Sequence, residues 1–588
     1  MSGGWLEAKE VVLSTLSSRG SVRNVKFWPN RLATRSSPSQ MQQMDIQSFA
    51  IEGINFGELY NLQVANFNRV SLVSPTITLS IKSGKKKSDS DFSMPKLYLQ
   101  VEPYLNQLAI DKLQVEQANI TLQSDENSPK IWFSTNSLNV SVMDFLLDGV
   151  TTVIPERPFY AQEAQIAMDT FTFSLPIDDG VENFAAKRFL YSSYSDSLTI
   201  DNLQAVEGSL DILGDDEKFT VNQLALHRMN FYRYFTEDEM EVEKVIVRRP
   251  EISIVSEKKQ ASRPIRPGRA RQAEIYPKIK SVTEGIYVVL FAVEEGVFSY
   301  LQQDTDTLHH FRADTLTMRA YRLAIDSVSE LGEATMFFAD EIDFRIHVDD
   351  YLLRLPQAHQ SIRADEIRLT SQEDKISVHN LEVRPYGFSN PNMANYPDKN
   401  LLSLTAPALY ITGLDIGHAL THGELDVKQI DLTNPTMVIY PFAKKSSNNN
   451  IPPPRWSEVA SPHIQALSVG QINFTDSDMG DTAYLAKADQ ISLSTKDSQL
   501  EISGFSLVPQ VPRSIYKDMF PFQKTRVMAQ TEMVRMSGVD FEELINNRYL
   551  KGQSLLIDGI QLDVFGLSIN PRYGAGCQWL CELCRAGT

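Results

Sequence analysis

Residues 367–385 read IRLTSQEDKISVHNLEVRP. Ile367 and Leu369 alternate with polar residues, SQEDK is a turn, and Ile376, Val378 and Leu381 resume the apolar pattern. Alternation with period two puts one set of side chains on one face, so the stretch predicts a hairpin with a single buried face. Three further copies occur: VVLSTLSSRGSVRNVKFWP (11–29), FLYSSYSDSLTIDNLQAVE (189–207) and ISLSTKDSQLEISGFSLVP (491–509). Successive copies start 178, 178 and 124 residues apart, with apolar residues at offsets 0, 2, 11 and 14.

Working outward, a second block follows each first one: residues 51–81, 226–255, 411–440 and 536–565. In three of them a proline (Pro75, Pro250, Pro435) lies 22 residues after Gly53, Arg228 or Gly413; the fourth has Gly559 near that place. Proline is tolerated at the first residue of a strand, so PTITLSI, PEISIVS and PTMVIYP read as closing strands. Next come polar, basic linkers: KSGKKKSDSD, SEKKQASRPIRPGRAR and AKKSSNNNIPPPR. A third block then reads LQVEQANITL from Leu113, FAVEEGVFSY from Phe291 and LSVGQINF from Leu467. Between blocks the register persists, with FYA at Phe159 matching FFA at Phe337. Self-similarity of this kind marks a repeat protein. The expected division is a partial first unit (1–81), a second (82–255), a third (256–440), a shortened fourth (441–570) and a tail outside the repeat (571–588).

Helix signals are few: NFGELYNL after Gly53, DIGHALTHG after Gly413 and DFEELINNR after Gly538, with Asn55, Asp415 and Asp540 as N-caps. The expected fold is therefore mainly β: an elongated repeat of antiparallel, meandering strands forming a long twisted groove, with few short helices. Its alternating pattern makes one continuous apolar face. Contiguous apolar surface beyond a few hundred Å² is rarely left bare, so that face needs either a second layer or an apolar occupant. The groove candidates are Leu113, Val115, Ile120, Leu122, Phe291, Val293, Ile376, Val378, Leu381, Leu425, Val427, Ile430 and Leu432.

The 588 residues carry 56 Lys and Arg against 74 Asp and Glu, a formal charge of −18, which argues against nucleic acid as a partner. With 42% hydrophobic residues the chain is composed to fold. The three cysteines, Cys577, Cys581 and Cys584, fall in the terminal tail, so a disulfide scaffold is excluded. Their spacing offers three thiolates without a histidine after them, and the tail breaks with every repeat; we read it as non-native sequence and assign no metal. His418 and His422 stand four apart on the GHALTHG helix without the glutamate of a zinc-protease motif, and read as a solvated face. His309 and His310 read as part of a polar turn. No nucleophile–base pair, phosphate loop or dinucleotide fingerprint stands out, so no catalytic residue and no cofactor are assigned. The longest apolar run, Ile286 to Val293, is far short of the roughly 18 residues that span a bilayer.

LAIDKLQVEQANITL (108–122), LTAPALYITGLDIGHAL with VKQIDLTNPTMVIYP, and ADEIRLTSQEDKISVHNLEVRP together resemble the AsmA-like family of Gram-negative envelope proteins, in the form seen in Bacteroidetes. The likeness is one of texture over most of residues 1 to 570. It implies an elongated β-groove anchored to the inner membrane, similar to the bridge-like lipid-transfer proteins, working in the periplasm on phospholipid traffic to the outer membrane. Phospholipid acyl chains are the implied partners, with a membrane anchor or envelope proteins beside them. The anchor helix of that family is not in this sequence. LEAKEVVLS at Leu6 matches the middle of a repeat entry, so we expect the chain to be a piece of a longer protein. The expected function is non-enzymatic lipid binding or transfer; the alternative is a structural or adhesive β-repeat whose sheets cover one another.

Overall fold

A computed structural model describes residues 5–28, 39–81, 97–124, 131–149, 159–177, 180–206, 218–257, 283–304, 307–327, 338–347, 350–352, 360–385, 401–414, 426–440, 463–469, 472–476, 484–495, 497–509, 512, 514, 526–541 and 550–565. Two compact units emerge. One comprises Met1–Asp350 with Arg368–Gln372 and Ile416–His422; the other comprises Tyr351–Ile367, Glu373–Asp415 and Gly423–Thr588.

In the first unit, β1 (Trp5–Ser14), β2 (Arg19–Trp28) and β3 (Ser39–Glu52) form an antiparallel meander. After α1 (Phe56–Leu62), β4 (Val64–Val73) and β5 (Thr76–Ile81) both pair with β3. Then α2 (Leu97–Val101) precedes β6 (Gln107–Ser124), which runs parallel to β4 and β5. The ladder continues antiparallel through β7 (Ile131–Asp148), β8 (Glu163–Ile177), β9 (Gly180–Ser192), β10 (Ser197–Ala205) and β11 (Lys218–Met229). Following α3 (Phe231–Glu237), β12 (Glu239–Glu257) pairs with β11 and runs parallel to β13 (Gly285–Asp304). β14 (Thr307–Ile325) and β15 (Glu341–His347) extend it. The residues of the short strands β16 (Asp350–Leu352) and β18 (Glu366–Thr370) are divided between the units, and β17 (Gln360–Arg363) belongs to the second, where it pairs with the strand Lys375–Pro385.

The second unit repeats the plan. β19 (Lys375–Pro385) pairs with β20 (Leu401–Thr412), and β20 with β21 (Asp426–Thr433) and β22 (Thr436–Tyr440). These run parallel to β23 (His463–Val469) and β24 (Ile472–Asp476). β25 (Tyr484–Ala488), β26 (Gln490–Ser494), β27 (Gln499–Pro509), β28 (Arg526–Ser537), β29 (Ser554–Asp558) and β30 (Gln561–Phe565) complete it, all antiparallel.

The mainly β expectation holds, with one correction. Strands are not antiparallel throughout: each closing strand runs parallel to the strand of the third block. Parallel neighbours need a crossover of a dozen or more residues. Between β5 and β6, β12 and β13, and β22 and β23, 22 to 27 residues intervene, which is ample. His309 and His310 are also corrected: they belong to β14, opposite Gln302 and Leu301.

Among helices, Asn55 caps α1 as expected, its Oδ1 accepting from Gly57 N and Glu58 N. Asn230, 175 residues on, does the same for α3 by accepting from Arg233 N. His418 and His422, the Asp415 helix, Leu425, the cysteine tail and, apart from Ser256 and Glu257 of β12, the basic linkers between paired strands lie outside the described residues. Asp540 and Phe541 are the only described residues of the DFEELINNR signal.

Backbone conformation follows the sequence intervals closely. Asn24, Asn202, Asn380 and Gly504 all have positive φ, between 49° and 60°. Ser18, Asp196, Asp374 and Ser498, which end the four-residue loops of the first-block hairpins, have φ between 46° and 52°. Both sets step by 178, 178 and 124. Ser74, Arg249, Asn434 and Gly559 form a third set, the first three immediately before the buried prolines. Tyr160 and Phe338 form a fourth. Left-handed backbone is unfavourable for most L-residues, though Asn, Asp and Gly tolerate it.

Candidate functional site

The left-handed residues explain how one face stays apolar along a long strand. Strict alternation would place residues three apart on opposite faces. Here a left-handed residue resets the phase. Ile200 and Leu203, on either side of Asn202, both pack on the cluster of Met168, Phe171 and Ala186. Met318, Ala320 and Leu323, with Arg322 as the left-handed residue, share a second cluster with Ile342 and Phe291. Val140, Val142 and Phe145, with Asp144 left-handed, share a third with Ala164 and Tyr191.

Cross-strand register then gives rows of apolar residues. One row of the first unit runs Val11, Val22, Phe49, Leu72, Val115, Val140, Ile166, Tyr191, Leu198, Leu226, Val245, Phe291, Ala320, Ile342, one residue per strand. Apart from buried Tyr191, Ala320 and Ile342 and exposed Val11, these residues are half-buried. A core between two layers would bury them. The next row on the opposite face reads Val12, Ser21, Ala50, Ser71, Gln114, Ser141, Gln165, Ser192, Ser197, His227, Lys244. That face also carries cross-strand ion pairs such as Arg248–Glu294 (3.2 Å) and Arg249–Glu295 (2.7 Å).

The second unit shows the same division. Ile376, Ile411, Ile430, Leu467, Leu493, Leu500, Met536 and Leu555 form one register row. Val378, Leu409, Leu432, Val469, Ile491, Ile502, Val534 and Ile557 form its neighbour. The row between them reads Ser377, Tyr410, Asp431, Ser468, Ser492, Glu501, Arg535, where Arg535 donates to Glu501 at 2.9 Å.

The candidates named from sequence thus fall into identifiable places. Val115 and Phe291 stand on the long row of the first unit. Val293 stands on a second row with Ile200, Leu224, Val247 and Met318. Leu113 pairs with Val70 and Val142, Ile120 with Ile77, and Leu122 with Leu79 and Phe133. Ile376, Ile430, Val378 and Leu432 occupy the two rows of the second unit; Leu381 faces Ala406. Val427 is fully buried and Val378 buried, so these two offer little surface to any ligand, whereas the other described candidates are half-buried.

Sequence reading missed the aromatic end of the face. Phe159, Tyr191, Phe231 and Phe235 pack ring against ring, with Phe231 5.0 Å from Tyr191 and 5.3 Å from Phe159 between centroids. Beside them, Leu147 and Tyr160 gather Leu97, Tyr98 and Val101 of α2 with Tyr232 and Phe235 of α3. Two short helices therefore share one cluster at the end of the apolar face. Burial, then the negative charge of Asp196, hold the Tyr191 hydroxyl protonated far above the usual phenol range. Arg233 of α3 is held by Glu237 (2.8 Å), Glu239 and Glu241 (3.2 Å). The missed signal was the odd step of three inside a period-two pattern.

No protein-family model matches the chain, and comparison with curated proteins gives no match. Among solved structures, the C-terminal domain of sex pheromone staph-cAM373 precursor from Staphylococcus aureus is 8% identical, covering 49% of this chain and 68% of that one. Its TM-score of 0.10 is too low to carry an argument. Among the described residues no helix is long and apolar enough to cross a membrane.

Proposed function

We propose that the chain is a non-enzymatic lipid-binding or lipid-transfer protein whose apolar sheet face shelters phospholipid acyl chains. One observation carries the reading: row after row of half-buried apolar residues on one face, backed by serine, glutamine and ion pairs on the other. An acyl chain laid along such a row removes apolar area from water at about 25 cal/mol per Å², or about 0.8 kcal/mol per methylene. No covalent step is needed. A face built from aliphatic residues with little polar detail suits chains of varied length and saturation. The resemblance to AsmA-like envelope proteins supports a periplasmic setting between inner and outer membrane, with other envelope proteins as partners.

The test is gentle purification followed by native mass spectrometry and solvent extraction. Phospholipid in molar ratio to protein, exchangeable with added fluorescent phospholipid, is the expected result. Lipid-free protein that takes up no fluorescent phospholipid would remove the proposal and favour a self-covered structural repeat.

A further inference from the structure

The parallel junction is made three times, and its fourth counterpart has no strand against it among the described residues. β29 and β30 pair with β28 as β4 and β5 pair with β3. Gly559 (φ 63°) takes the left-handed place of Ser74, Arg249 and Asn434. By that register Leu555, Ile557, Leu562 and Val564 correspond to Val70, Leu72, Ile77 and Leu79. Where β6 lies alongside, Val70 is buried and the other three are half-buried. In the fourth copy they are 56%, 42%, 50% and 47% exposed. Ile560 stands where the other junctions have a buried proline, and it is 57% exposed. In the first junction, Ser74 N donates to Glu116 O and Asn119 N to Pro75 O, both at 2.8 Å, docking the closing strands on β6.

Edge strands are commonly blunted by lysine, proline or a covering element. Residues 554–565 contain neither lysine nor proline. We propose that this edge is a docking site for an extended peptide segment, added as a parallel strand. The segment's chemistry follows from the three filled junctions: an apolar pair two residues apart, then a second such pair five residues further on, as in Leu113, Val115, Ile120 and Leu122. Continuity with those junctions picks this occupant over a second copy of the chain, whose own strands of this type are already paired. Main-chain hydrogen bonds would supply affinity and the alternate side chains specificity. The proposal stands apart from the lipid reading.

The probe is a fluorescein-labelled peptide of residues 107–124, QLAIDKLQVEQANITLQS, added to the full chain. Saturable binding is expected, with hydrogen-exchange protection gained in residues 554–565. A photo-crosslinker at peptide position 115 should capture residues around Ile557, and one at position 122 residues around Val564, as parallel register requires. A peptide carrying Leu113→Asp and Ile120→Asp should bind at least about tenfold more weakly. The protein variant Ile557→Lys with Leu562→Lys changes exposed side chains, and should lose the peptide while keeping its circular dichroism spectrum. Equal binding of the Asp peptide, crosslinks in reversed order, or protection elsewhere would overturn the proposal. So would self-association that alone protects 554–565 and leaves the peptide unbound.

Discussion

Asn202 shows how much of this fold rests on single backbone positions. Its φ of 53° falls between Ile200 and Leu203, which pack on one cluster. A β-branched residue there must adopt left-handed backbone at a cost of about 1–2 kcal/mol. Asn202→Val should therefore lower stability by roughly that amount in denaturant titration, while Asn202→Gly should stay within about 0.5 kcal/mol. Equal losses in both variants would show that side-chain contacts of Asn202, and not its backbone, matter. Asp196 supplies the pH-dependent counterpart. Burial raises its carboxyl above the ordinary carboxylate value, with Glu243 adding to the shift and Arg228 and His227 opposing it. A raised folded pKa means the native state binds more protons, so stability falls as pH rises through the window between ordinary and raised values. Asp196→Asn keeps a residue suited to φ 46° and removes the charge. It should melt higher than the parent at pH 7, with the gap closing below the ordinary carboxylate range. A constant gap across pH would overturn this account.

At the scale of elements, α2 and α3 draw their stability from the aromatic cluster they share, since they span only five and seven residues. Helices so short are marginal alone. Phe231 touches Phe159, Tyr191 and Phe235. Phe231→Ala should cost about 3 kcal/mol and raise hydrogen exchange in α3 and at Tyr160 well before β12 exchanges. Uniform exchange across the unit would contradict this. What sequence made legible was the strand pattern, because period two is a property of consecutive residues, and the Asn55 cap, because it is local. What it hid was non-local or conformational. Asn24, Asn202, Asn380 and Gly504 share an offset in the first block, but only their φ shows that they reset the face. The parallel junctions were hidden because Val70 and Leu113 are 43 residues apart, and nothing in either run states which way its neighbour points. Val378 and Val427 read as equivalent to Leu113 and Val115, yet they are buried where the latter are half-buried, a difference that alternation alone does not carry.

For the whole molecule, the decisive property is the difference between the two faces, and it can be tested with paired substitutions. Val140 sits half-buried on the long apolar row between Val115 and Ile166, and its neighbour Ser141 sits on the polar row between Gln114 and Gln165. In the second unit, Ile411 and Ser492 stand in the same contrast. A carboxylate on the apolar face keeps its charge only if water reaches it, so an acyl chain lying over it must leave or bury that charge unpaired. Val140→Glu and Ile411→Glu should each reduce phospholipid recovered per protein by half or more. Ser141→Glu and Ser492→Glu should leave it unchanged, since their rows already face solvent and charge. Thermal melts of all four variants separate lipid loss from unfolding, because a variant that keeps a cooperative transition near that of the parent has lost lipid through its surface and not through its fold. Equal lipid recovery from apolar-face and polar-face variants would mean that the apolar rows serve only to hold the sheet together.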